Sequence, residues 1–159
     1  MADSFHPLDP LTADEFTQVT SILTRDQGVG PGWRFASIEL AEPSKAQIAA
    51  FEADGTVPAR GAYVVVFERA TNKTYRSFIS LTDDAVESFE HVPGVQANFT
   101  VDEFEECDRV LRAHPDVQAA LARRGITDLD GVFMDTWTYG GAVIPEEYRG
   151  RRLGWSDTW

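Results

Sequence analysis

The side chains able to do acid, base, nucleophilic or metal chemistry are few and scattered. The single cysteine, Cys107, lies in Glu105-Glu106-Cys107-Asp108, where neighbouring carboxylates disfavour a thiolate. One cysteine excludes an internal disulfide and any Cys-rich zinc site. The three histidines, His6, His91 and His114, form no His-x-His or His-x3-His pair, the usual local supply of metal ligands. His114 precedes Pro115 and reads as a helix-end residue. His91 with Asp83 or Asp84 is the one local acid–base candidate, the minimum for a small enzyme with its pocket in a curved sheet. Glu105/Glu106 and Glu146/Glu147 are chain neighbours and read as solvated faces. Gly28-Val29-Gly30-Pro31-Gly32 follows a helix rather than a strand, and Pro31 lacks an N–H for phosphate, so it is a turn. The concentrated feature is aromatic. Trp137, Tyr139, Trp155 and Trp159 interleave with Arg149, Arg151 and Arg152, a pattern that fits nucleic acid, a domain-packing surface or a ligand-channel wall.

Charge decides among these partners. The chain of 159 residues carries 14 Lys and Arg against 26 Asp and Glu, a formal net charge of −12. Duplex nucleic acid and anionic membrane surfaces are repelled, which leaves the packing surface or the channel wall. Hydrophobic residues at 43% and charged residues at 25% are ordinary globular composition. No apolar run reaches the length of a membrane span. Met1-Ala2-Asp3-Ser4-Phe5 has neither a basic nor an apolar leader region, so the expected compartment is cytoplasmic.

The elements that must position these residues follow from local patterns. Thr12-Ala13-Asp14-Glu15 is a capping box, and Phe16, Val19, Ile22 and Leu23 continue it as a helical stripe. Trp33 to Leu40 reads as a strand. Ser44-Lys45-Ala46-Gln47 opens a short helix through Phe51. Arg60 to Ala70, Thr74 to Leu81 and Ala85 to Val92 read as three further strands. In the last of these, strict alternation sets Val86, Ser88 and Glu90 against Glu87, Phe89 and His91. A helix and four closely connected strands predict an antiparallel sheet with the helix on its apolar face.

Pro93-Gly94 is the expected domain boundary, and the pattern then restarts. Thr100-Val101-Asp102-Glu103 is a third capping box, leading into Phe104, Cys107, Val110 and Leu111. The Pro115 break precedes a second helix, which Asp116 is placed to cap, with Val117, Ala120 and Leu121. Val132 to Tyr139 is a strand, Gly140-Gly141 a turn, and Leu153 to Trp155 one more candidate strand. Two helices with so little sheet look unfinished, and Trp155 and Trp159 stand near the last residue. The expectation is therefore the N-terminal part of a longer protein.

The succession of motifs resembles the copper-dependent, topaquinone-containing primary-amine oxidases. His6-Pro7-Leu8-Asp9-Pro10-Leu11-Thr12-Ala13-Asp14-Glu15 looks like the start of their second N-terminal domain. The segment from Thr100 to Cys107, the His114-Pro115-Asp116 break, Val132-Phe133-Met134-Asp135-Thr136-Trp137-Thr138-Tyr139-Gly140 and Arg151-Arg152-Leu153-Gly154-Trp155 resemble their third.

The resemblance implies an α+β fold of two small cystatin-like units, each a helix packed on an antiparallel sheet, with the second truncated. Residues 1–94 would be N2-like and 95–159 N3-like. It implies oxidative deamination of primary amines by the intact enzyme, a homodimer, with copper and topaquinone held by a C-terminal catalytic domain. Asn98-Phe99 and Asn72-Lys73 lack the quinone-precursor tyrosine, so no catalytic, cofactor or metal residue carries over. By motif position, Phe104 and Trp137, with Tyr139 beside it, would line the substrate channel. The competing reading is a free-standing cystatin-like binding module, against which the short polar Thr71-Asn72-Lys73 turn counts.

Overall fold

The computed structural model describes residues 6–140 and 144–159. The N-terminal segment Met1–Phe5 and the Gly141 half of the Gly140-Gly141 turn lie outside the described residues. The chain divides into two compact units, one ending at Val95 and one beginning at Gln96. No helix among the described residues is long and apolar enough to cross a membrane.

In the first unit, helix α1 (Ala13–Gln27) opens on the expected box: Thr12 N–H donates to Glu15 at 2.7 Å and Glu15 N–H donates to the Thr12 hydroxyl at 3.2 Å. It ends because Gly28 takes the left-handed conformation, φ +67°, while Gly28 and Val29 N–H donate to the carbonyls of Thr24 and Leu23. Strands β1 (Trp33–Leu40), β2 (Gly61–Glu68), β3 (Lys73–Ser80) and β4 (Ala85–Val92) form one antiparallel sheet in sequence order. Helix α2 (Lys45–Asp54) sits between β1 and β2 and runs three residues beyond the expected end at Phe51. Val19, Ile22 and Leu23 of α1 are buried in one cluster with Val29, Ala62, Val64, Val66, Ile79 and Leu81. The expected helix-on-sheet layer is therefore present, and removal of this apolar surface from water is its main support.

Two β-bulges change which residues face that core. β1 slips between Phe35 and Ser37, and β4 slips opposite Phe78/Ile79, so that Phe78 faces Ser88 but Ile79 faces Val86. Each extra residue inverts the alternation beyond it. Phe35 and Ile38 thus both pack on the core, and so do Val86 and Phe89, which strict alternation had assigned to opposite faces.

A lead-in segment is tied down by one arginine. The Arg60 guanidinium, just before β2, meets Glu15 at 2.6 and 3.1 Å. It also donates to the carbonyls of Pro7 (3.2 Å), Asp9 (2.9 Å) and Pro10 (3.0 Å). At the other end of α1, Arg25 and Gln18 reach Asp84 at 2.7 and 3.1 Å, fastening the helix to the β3–β4 turn.

In the second unit, α3 (Val101–Ala113) and α4 (Pro115–Ala122) precede β5 (Met134–Thr138), a short 3-10 turn (Glu146–Tyr148) and β6 (Gly154–Thr158). β5 and β6 pair antiparallel from Met134↔Thr158 to Thr138↔Gly154. Phe133 and Trp159 exchange backbone bonds of 2.9 and 3.0 Å and lengthen the ladder by one pair. The second strand is thus longer than the candidate at Leu153 to Trp155, and the first is shorter than Val132 to Tyr139. The cap of α4 differs from expectation too. His114, not Asp116, holds that place: its Nδ1 accepts from Asp116 N–H at 3.2 Å, because Pro115 occupies the first helical position.

Candidate functional face of the second unit

Met134, with Leu121 and Val132, forms the small core of the second unit, against which Leu111, Val117 and Leu129 pack. The helices therefore cover the face of the sheet that carries Met134 and the buried Thr136. Side chains alternate along a strand, so Asp135 and Trp137 stand on the opposite, outer face. There Trp137 is directly across from Trp155, and Asp135 across from Asp157. Trp159 Nε1 donates to Asp135 at 3.2 Å. This aromatic face is open: Phe133 is 61% exposed, Trp137 53%, Trp155 47% and Trp159 74%. So large an apolar area on a two-stranded sheet is the kind of surface that packs on something else.

The three channel candidates do not share one surface. Tyr139 follows Trp137 by two residues, and its N–H donates to Leu153 O at 3.0 Å, so it continues the same strand path. Phe104 stands on α3, in the helical layer over the other face. Its ring meets Phe99 edge-on, 5.9 Å between centroids, and it is 41% exposed.

The arginines interleaved with these aromatics have other work. Arg149 pairs with Glu146 at 2.9 Å, and Arg151 lies 5.4 Å above the Tyr148 ring. Arg152 turns inward. Its guanidinium binds both carboxylate oxygens of Glu103 and donates to Ala97 O and Asn98 O, each at 2.9 Å. It also covers the Phe99 ring at 4.8 Å. Beside it, the Gln96 amide donates to Tyr139 O and Leu153 O, both at 2.7 Å, and accepts from Leu153 N–H at 2.9 Å. Phe99 N–H donates to the Thr138 hydroxyl at 2.7 Å. The segment before α3 is thus stapled to the end of β5 and the start of β6. Sequence reasoning missed the Arg152–Glu103 pair. A hint existed in the repeated Thr-x-Asp-Glu box, but a partner 49 residues away has no local signature.

The remaining candidates are dispersed. Burial, then the charges of Glu103 and Glu106, pushes the Cys107 thiol above its ordinary range, so the inert reading stands with burial as the first cause. Asp83 is bonded to Ser80, Asp84 to Gln18 and Arg25, and roughly 20 Å of β4 separates them from His91. Among the described residues no group of three or more His, Cys, Asp and Glu is placed to hold a metal ion. His6 and His114 each spend Nδ1 on a backbone N–H. These residues do not fit a copper centre.

The family model described as the N2 domain of copper amine oxidase matches residues 6–91. A primary amine oxidase of Arthrobacter sp. (strain P1) is 38% identical over 149 residues, covering 93% of this chain and 22% of the relative. A copper-containing diamine oxidase of Nicotiana tabacum is 30% identical over 174 residues, covering 87% and 22%. The chain therefore spans about a fifth of the length of the curated relatives it matches. A copper-containing benzylamine oxidase from Hansenula polymorpha superposes with a TM-score of 0.65 at 23% identity, over 84% of this chain and 22% of that one, which speaks for the α+β fold. The family match covers more than half of the chain and coincides with the helix-on-sheet unit built above, so the chain belongs to the copper amine oxidase family.

Proposed function

We propose that this chain is a non-catalytic, N-terminal part of a copper/topaquinone primary-amine oxidase, serving as scaffold and as part of the substrate-channel wall. The observation that carries the reading is the match of the N2 domain model to residues 6–91, which coincides with the helix-on-sheet unit. Residues 1–94 are its N2-like domain and 95–159 an incomplete N3-like domain. Its partners are the catalytic domain of the same enzyme, a second subunit in a homodimer, and a primary amine. The intact enzyme would convert that amine to aldehyde, ammonia and hydrogen peroxide, with copper and topaquinone supplied by the catalytic domain.

Trp137 would contribute to the channel from the outer face of β5, Tyr139 from just beyond the end of that strand, and Phe104 from α3. A tryptophan at the first of these positions narrows a channel and favours slim amines. The purified 159-residue chain tests the non-catalytic reading: incubated with copper(II) and then with methylamine or benzylamine, it should retain no stoichiometric copper and release no peroxide. Quinone staining or copper-dependent peroxide formation would refute it.

A further inference from the structure

Each unit opens on the same four-residue frame, Thr12-Ala13-Asp14-Glu15 and Thr100-Val101-Asp102-Glu103. In each, the glutamate that completes the capping box also binds an arginine standing just before a strand: Arg60 before β2, Arg152 before β6. Both guanidiniums then donate to the carbonyls two and three residues ahead of the capping threonine, Pro10 and Asp9 in one unit, Asn98 and Ala97 in the other. We infer that Arg152 is a positioning residue, the latch that holds β6 on β5 and so sets Trp155 opposite Trp137.

The reason lies in what else holds each strand. β2 buries Gly61, Ala62, Val64, Val66 and Phe67, so apolar packing anchors it and Arg60 is an addition. β6 buries none of its five residues. A two-stranded ladder is marginal in water without a packed face on both members. Besides its ladder with β5 and two side-chain bonds across it, Thr136 to Ser156 and Trp159 to Asp135, each at 3.2 Å, this end of the chain is held by the Gln96 staple at Leu153 and the Arg152 fork. The fork sits one residue ahead of that staple and two ahead of Gly154, whose missing Cβ leaves room for the Phe99 ring that Arg152 covers. Its contacts are multiple, charge-assisted and largely shielded, with side-chain exposures of 16% for Arg152 and 13% for Glu103, the setting in which such bonds are strongest. These contacts all lie within the second unit, and the inference needs no amine oxidase activity.

Hydrogen exchange on the 159-residue chain tests it, paired with fluorine NMR of 5-fluorotryptophan. Arg152→Met should speed amide exchange across residues 154–158 by about tenfold or more, the range expected for lost bonds between charged groups. It should shift the Trp137 and Trp155 resonances and leave Trp33 and β1–β4 as they are. Arg152→Lys should recover part of the protection, since a compact ammonium can meet Glu103 but lacks the planar fork that spans the carboxylate and both carbonyls. The double variant Arg152→Met/Glu103→Gln removes the stranded carboxylate and should show the same loosening of β6. Arg60→Met should leave residues 154–158 unchanged. Unaltered protection of 154–158 in the Arg152 variants would overturn the assignment. So would equal loss through α3 and α4 in the double variant, because Arg152 would then be a general support of the unit.

Discussion

The two units begin alike and are stabilised differently. In the first, α1 sends Val19, Ile22 and Leu23 into a core shared with β2 and β3, on which side chains of β1 and β4 also pack. In the second, α3 has no fully buried residue, and the core consists of Leu121, Val132 and Met134 with a partly buried rim. The same box and the same arginine fork therefore act in two contexts, one dominated by apolar burial and one where polar stapling is a large share of what holds the sheet. Local polar motifs can be repeated cheaply along a chain. Core volume cannot, because it needs several elements to converge.

Cavity creation should break the comparison most forcefully. Leu23→Ala in the large core should cost the first unit about 3 kcal/mol, and Leu121→Ala in the small one about 2 kcal/mol, because a sparse site collapses more readily. Denaturant titration followed by hydrogen exchange would assign each loss to its unit. Equal losses would mean that the cores are closer in quality than their composition suggests.

Adding a methyl at the strand starts is a finer probe. A Cβ on Gly61 would lie 2.9 Å from the Ile79 carbonyl oxygen, which is backbone and cannot yield. A Cβ on Gly154 would meet the Phe99 ring at 2.7 Å and Trp137 O at 3.1 Å. Overpacking of this kind costs about 1–3 kcal/mol. Gly61→Ala should fall at the upper end of that range, and Gly154→Ala should instead loosen β6 locally, as seen by exchange at residues 154–158.

The smallest expected effect is in acid. The bond from Arg60 leads the forces that hold Glu15 below the ordinary glutamate range. At Glu103 burial is the largest influence and acts upward, but the bonds from Arg152 and Thr100 outweigh it and the net shift is again downward. A carboxylate with a lowered folded-state pKa contributes stability above its unfolded value, about 4.3, and loses it as pH falls through the folded value. Both units should therefore loosen below about pH 4. Hydrogen exchange followed from neutral pH down through about pH 4 would report it, and protection that falls in neither unit would contradict this account.

How much could be read in advance depended on the range of the interaction. The three capping boxes and the β1 and β4 boundaries were legible, because each rests on neighbours within a few residues. The bulges at Ala36 and Glu87 were not. Their sequences alternate acceptably in either register, and only the facing strand chooses. At the aromatic face, Trp137 and Tyr139 were visible as residues, but nothing local placed Phe104 in the layer on the opposite side of the sheet. In the sequence Arg152 is one of three arginines interleaved with aromatics, whereas in the fold it is the one of the three that turns inward.

Helix starts, strand propensity, net charge and the order of elements were thus written along the chain, since backbone hydrogen bonding and hydrophobic period act over a turn or a strand. Which side of a strand faces the core, which arginine meets which glutamate, and which tryptophans stand across from each other were decided when distant segments met. Those choices depend on packing space and on the cost of leaving a charge without a partner, and neither exists until the fold has closed.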